Sequence, residues 1–160
     1  MATWGEFERA DAQLAAFGRE RLDGQVCFHA TLVRDGSPRV HPVEPWIVEG
    51  LLLVRFRDSS PKVAEVARDC RYALHSPMDN PDGEGGEFLV RGGMERVAPD
   101  HPAAVVIALR TRTPLAFYTL SVEEAVGTTY EGEELEPVYR RWRAPETAAT
   151  PRARDRPPAS

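Results

Sequence analysis

Apolar and polar residues alternate along the chain with two different periods, and each change of period marks a new element. Over residues 4–22, Trp4, Phe7, Ala10, Leu14, Phe17 and Leu22 recur at near-helical spacing, with Glu8, Arg9 and Glu20 between them. That spacing predicts one amphipathic helix packed on a larger body. A β-type run follows over 26–33 (VCFHATLV), and Asp35-Gly36 in the next stretch, RDGSP, is a hairpin signal. The chain returns as a strand over 39–48 (RVHPVEPWIV). Its Pro42 and Pro45 cannot donate to a ladder, so part of it is expected at an edge or beside a bulge. Glu49-Gly50 turns it into a third strand over 51–57 (LLLVRFR), which completes a predicted antiparallel meander.

A short helix should start within residues 58–62: Ser60 is a good N-cap, Pro61 suits the first helical position, and Val63, Val66 and Ala67 give an apolar stripe. Further strands are predicted over 71–77, 87–97, 115–126 and 135–143, with a polar loop over 77–86 and a helix within 99–109 after Pro102. Gly92-Gly93 interrupts the fifth strand and reads as a bulge or a tight barrel bend. From Pro145 onward there is almost nothing to bury, so 1–144 is expected to be one domain and 145–160 a disordered tail. Six or seven antiparallel strands with about three peripheral helices most simply hide their edges by closing into a small barrel.

Composition narrows the function classes. A net charge of −5 over 160 residues leaves no basic excess for phosphate backbones or anionic membranes. No apolar run approaches the length of a membrane span, and the N terminus lacks the basic-then-apolar order of a secretory signal, so the chain reads as cytoplasmic. Cys27 and Cys70 make no disulfide framework and are expected to be buried thiols.

Lys62 is the only lysine; the other nineteen basic residues are arginine. An ammonium in the first turn of a helix opposes the macrodipole, yet with Ser59, Ser60 and the free N–H groups it would complete an anion site suited to phosphate. Arg55 and Arg57 on the preceding strand would add positive charge. The competing reading is a capped helix with a solvated lysine. On the returning strand, Arg39, His41 and Val43 share one face and Val40, Pro42 and Glu44 the other. That first face is either wetted by solvent or lies along a ligand held by backbone groups that Pro42 frees from the ladder.

Other chemistry is weaker. His29, His41, His75 and His101 lack ligand spacing, and a hairpin turning at Asp35-Gly36 does not oppose His29 to His41, so no metal site is expected. Either His75 or His41 could serve a haem. Cys27 and His29, two residues apart, can share a strand face, but a core thiol is the simpler reading than a nucleophile. DGEGGEF (82–88) opens a strand and not a helix, unlike a phosphate cradle, and Glu131, Glu133, Glu134 and Glu136 read as a solvated turn.

Taken together, DGSPRVHPV, SPK with ARDCRYALHS behind it, and EFLVRG, in that order and over about residues 4–143, resemble the pyridoxamine 5′-phosphate oxidase-like superfamily of flavin-binding split β-barrels. The resemblance implies a mainly β (α+β) split barrel of Greek-key type that binds FMN, as an obligate homodimer with cofactor sites at the subunit interface, acting as an oxidoreductase on a small organic substrate. It implies that Arg39, Val40, His41, Pro42 and Val43 flank the flavin ring. Ser59, Ser60 and Lys62, assisted by Arg57, would hold its phosphate. His75 and Ser76 would approach the cofactor, often across the dimer interface, and Trp142 in its Trp-Arg context would come near the ring. His41, His75, Tyr118 and Trp142 are candidates for the substrate side. The superfamily's Arg-x-His element for substrate phosphate is missing, since the last histidine is His101; a true pyridoxamine phosphate oxidase is therefore not expected. Related branches use the deazaflavin coenzyme F-420 or haem, and the arginine-rich composition, typical of a GC-rich bacterial genome, keeps the deazaflavin open. A carrier or sensor without turnover needs the same contacts.

Overall fold

Asp11 divides the N-terminal amphipathic run into two helices where one was expected. In the computed structural model, which describes residues 1–98, 100–108 and 114–145, α1 spans Trp4–Ala10 and α2 spans Ala12–Leu22. The Asp11 N–H closes α1 on the Phe7 carbonyl at 2.8 Å while its carboxylate caps α2 by accepting from the Leu14 N–H at 3.1 Å. A short acceptor side chain can serve both roles, which is why Asp favours such junctions.

Nine strands follow among the described residues, more than expected, because two predicted strands each divide. The run 39–48 breaks at Glu44-Pro45 into β2 (Pro38–Val43), which pairs with β1 (Cys27–Leu32), and β3 (Trp46–Val48), which pairs with β4 (Leu51–Arg57). Pro45 can neither donate to a ladder nor let its predecessor relax freely, so the chain passes there from one end of the sheet to the other. The run 115–126 likewise turns a corner at 121–123 between β7 (Leu115–Leu120) and β8 (Glu124–Glu131). Between these lie α3 (Pro61–Arg68), β5 (Arg71–His75), β6 (Glu87–Val97) and α4 (Pro102–Ala108), and β9 (Glu136–Arg143) ends the described fold by pairing with β8. The fourth helix arises from the division of the first. The predicted tail lies outside the described residues, apart from Pro145.

All pairings are antiparallel and follow the path β2-β1-β5-β6-β7-β4-β3, with β8 and β9 branching from β6. The sheet curls into a split barrel. Gly92-Gly93 does not break β6; it marks where one of its neighbours changes from β8 (residues 87–91) to β7 (residues 94–97). At that crossing a Cβ on Gly92 would stand 2.1 Å from the Ser121 carbonyl oxygen. Only glycine lets the corner come this close.

Trp4, Phe7, Leu14 and Leu22 from the two N-terminal helices seal one end of a core that includes Leu52, Leu74, Phe88 and Leu120. Burying each such side chain contributes about 1.5–3 kcal/mol. A smaller cluster of Leu53, Ala103, Ala104 and Phe117 lies under α4, with Trp46 packed against it. Among the described residues, no helix is long and apolar enough to cross a membrane.

Candidate functional site

Helix α3 begins as the sequence predicts. Ser60 has extended backbone, its hydroxyl accepts from the Lys62 N–H at 3.4 Å, and Pro61 takes the first helical position. This start faces β2, which forms a ladder only with β1, so its other edge lacks a strand partner among the described residues. Between them lies a cleft of about 470 Å³, within the usual range of small-molecule pockets. Pro42, Val43, Trp46 and Phe56 give it apolar walls; Ser59, Ser60, Lys62, Arg55, Arg57 and Glu44 supply its polar groups.

Lys62 is half-buried, with its Nζ 5.2 Å from the centroid of the Phe56 ring. Burial foremost, and then the Arg39 guanidinium, lower its pKa, while Glu65 partly offsets them. Among the described residues no carboxylate comes within 4.0 Å of it, because Glu65, three residues along the same helix, is bound instead by Arg39 at 2.6 Å and Thr31 at 3.4 Å. Arg55 stacks on Trp46 with its Cζ 4.6 Å from the ring centroid and lies 4.0 Å from Glu44. The cleft thus carries three cations and one carboxylate, and it suits an anion.

The face carrying Arg39, His41 and Val43 is wetted only at Arg39, whose side chain is 40% exposed. His41 and Val43 are buried inside the barrel, and Arg39 is held by Glu65. His29 and His41, expected to be out of register, are direct cross-strand partners, with His29 Nδ1 and His41 Nε2 at 3.1 Å. The reason is the parity of the loop. A two-residue Asp35-Gly36 turn would pair His29 with Pro42. The actual loop spans 33–37 and is centred on Asp35, whose carboxylate accepts from the Ser37 N–H at 2.9 Å and hydroxyl at 2.6 Å while Gly36 takes φ +84°. Burial, with Lys62 and Arg39 beside it, depresses His41 to about 4, and burial, His41 and Lys62 depress His29 to about 3.

Of the residues singled out from sequence, Pro42, Val43, Arg57, Ser59, Ser60 and Lys62 meet in the cleft. Val40 points outward and is exposed. Tyr118 is buried, its ring centroid 5.4 Å from that of Phe56, so it lies beneath the cleft. Three others do not meet the cleft within one chain. His75 is half-buried on β5, with Nε2 3.3 Å from Glu87 Oε2 and Nδ1 2.7 Å from the Ser76 carbonyl oxygen. Ser76 is buried; its hydroxyl accepts from the Phe88 N–H at 2.9 Å and donates to the Pro77 carbonyl at 3.2 Å. Trp142 packs on Phe7 of α1, ring centroids 4.9 Å apart.

Glu44, Trp46 and Phe56 line the cleft without having been named as candidates. A weak signal existed for Trp46 and Glu44, which flank the chain-breaking Pro45; Phe56 reads simply as core. Cys27 is a core thiol, its Sγ 3.8 Å from the Leu22 carbonyl and its pKa pushed up to about 12 by burial. Cys70, expected to be buried, is exposed, because Asp69 ends α3 in extended backbone and turns the next side chain outward. Among the described residues no three His, Cys, Asp or Glu side chains are grouped closely enough to hold a metal.

No family profile matches the chain, and no characterised protein sequence matches it either. Solved structures do match its shape. PhzG of Burkholderia lata 383, solved in complex with tetrahydrophenazine-1-carboxylic acid, superposes with a TM-score of 0.62 at 11% identity, covering 90% of this chain and 89% of its own. A candidate pyridoxamine 5′-phosphate oxidase of Listeria innocua gives 0.59 at 14% identity, covering 74% and 97%. An F-420 reductase gives 0.54 at 19% identity, covering 67% and 94%. The chain therefore shares the split-barrel fold of these solved structures, with an anion-receptive cleft at its open edge.

Proposed function

We propose that the chain binds a phosphate-bearing flavin, FMN, in this cleft and serves as a flavin-dependent oxidoreductase on a small organic substrate. One observation carries the reading: the sole lysine, at a capped helix start, faces the edge of β2 across a cleft and has no carboxylate within ion-pair distance among the described residues. The Ser59 and Ser60 hydroxyls would donate to the phosphate, Lys62 and Arg57 would balance its charge, and Pro42 and Val43 would give the ring an apolar wall. Bound flavin would supply hydride transfer; the protein contributes placement, charge and exclusion of water. The name of the F-420 reductase neighbour supports the deazaflavin as the second reading of the same cleft.

The outer face of the sheet carries Phe28 and Val40, 51% and 62% exposed, beside the half-buried His75. We assign this face to contact with a second copy, which would bring His75 and the neighbouring Ser76 toward a cofactor in the other subunit.

An absorption spectrum of the purified protein, with mass analysis of what it releases on denaturation, tests the cofactor. FMN, deazaflavin and haem are distinguishable in both. A colourless protein that also fails to bind added FMN overturns the flavin reading. Bound flavin that no nicotinamide donor reduces and no acceptor reoxidises would leave a carrier and remove the oxidoreductase.

A further inference from the structure

The barrel interior behind the cleft holds a polar pair that the flavin reading does not use. His29 and His41 rest against each other, ring centroids 5.0 Å apart, inside apolar walls. Tyr72 stacks on His29 at 5.8 Å, and Phe56 lies 5.9 Å from His29 and 6.0 Å from His41. His29 Nε2 and His41 Nδ1 are buried and have no partner among the described residues.

Buried polar atoms are normally satisfied, so two orphans on one pair call for a reason. A neutral imidazole has one N–H and one lone pair. Whichever ring donates in the 3.1 Å contact, one outer nitrogen keeps a lone pair and the other an N–H. If His29 donates, the lone pair is on His29 Nε2; if His41 donates, it is on His41 Nδ1. In both tautomers a proton can add to that lone pair while the internal hydrogen bond stays intact.

The surrounding charges decide whether the proton comes. From α3 the pair faces Lys62; from β2, Arg39; from β5 and β7, the neutral phenols of Tyr72 and, behind Phe56, Tyr118; from β4, the Phe56 ring; and on β1, beside His29, stands Thr31, whose hydroxyl contacts Glu65 of α3. Glu65 is committed to Arg39. The ammonium of Lys62, on the same Phe56 ring that both imidazoles touch, is the cation that a ligand in the cleft can neutralise.

We propose that the His29–His41 pair is the proton-accepting element of the cleft: an anion settling on Lys62 draws one proton onto the pair. This rests on the anion-binding reading above and adds to it a proton taken up with the ligand. Binding of an anion whose own charge is constant should therefore strengthen as pH falls from about 5 to about 4, between the raised midpoint of the liganded pair and the midpoint of the free one.

Sulfate, which does not titrate over this range, is the probe. The imidazole 15N resonances of the full-length protein would be followed against pH with and without saturating sulfate, and in Lys62→Ala. The expected result is that sulfate raises the midpoint of the pair by about 0.5–1 pH unit, and that Lys62→Ala raises it without sulfate and removes its effect. Sulfate that binds the wild type without moving the midpoint, with Lys62→Ala equally silent, overturns the coupling and leaves the flavin reading standing. Absence of sulfate and FMN binding removes both.

Discussion

Arg39 on β2 and Glu65 on α3 are joined at 2.6 Å, and this pair governs the charge of the cleft. Glu65 stands three residues after Lys62 on one helix, the usual distance for an intrahelical ion pair. Arg39 takes the carboxylate from the neighbouring strand instead and leaves the ammonium without it. The same contact ties the strand that bounds the cleft to the helix that closes it.

Replacing Lys62 should separate phosphate binding from ring binding. With Lys62→Ala, the Kd for FMN is expected to rise about 10- to 100-fold, the equivalent of one charge-assisted contact. Riboflavin, which lacks the phosphate, should change less than about twofold. Fluorescence titration of both ligands checks this; equal losses would mean that Lys62 supports the fold.

The buried histidines make the fold acid-sensitive. Both pKa values are depressed in the folded chain, to about 3 and about 4, from an ordinary 6.5. Between those limits the unfolded chain binds more protons than the folded one, so stability is full above about pH 6.5 and falls as pH drops toward 4. The slope is at most about 1.4 kcal/mol per pH unit for each imidazole. Urea denaturation from pH 7 to 4.5 should show a flatter profile for the His29→Gln/His41→Gln double variant than for the wild type.

Gly92 is fixed by contact and Gly36 by backbone conformation. Gly92→Ala drives a Cβ toward the Ser121 carbonyl, a backbone atom that cannot step aside, and should cost about 3 kcal/mol or prevent folding. Gly36→Ala has open space around it and only φ +84° to sustain, so about 1 kcal/mol is expected. Denaturant midpoints of the two variants give the order directly.

The outer sheet face should respond to charge. Val40→Asp is expected to convert a dimer to a monomer in sedimentation velocity while leaving the secondary structure unchanged, because Val40 is largely exposed within its own chain. A wild type that sediments as a monomer would remove the assignment of this face to a second copy.

The two thiols should differ in reactivity. Iodoacetamide at pH 8 is expected to modify exposed Cys70 in the native protein and to spare Cys27, which is buried with its pKa pushed up to about 12, until the chain is unfolded. Peptide mass mapping before and after denaturation reads both.

Local chemistry was the legible part of the site. Ser60, Pro61 and Lys62 define a helix start within a few residues, and Pro42 announces an edge, so the cleft's two opposing walls can be found from their own segments. Trp46 and Phe56 could not be found that way. Pro45 beside Trp46 marks a break in the chain but not what the ring will face, and Phe56 carries no local signal at all. Both enter the cleft because β3 and β4 pair beside it.

Element types along most of the chain follow from hydrophobic period and capping, since those depend on neighbours a few residues apart. The three-dimensional fold settled what depends on distant partners. A loop of five residues rather than two placed His29 opposite His41, Pro45 sent one predicted strand into two pairings, and Gly92 admitted the Ser121 corner. Register and close approach are cooperative properties of segments far apart in the chain. A pattern read within one segment carries no information about which atom will stand across from it.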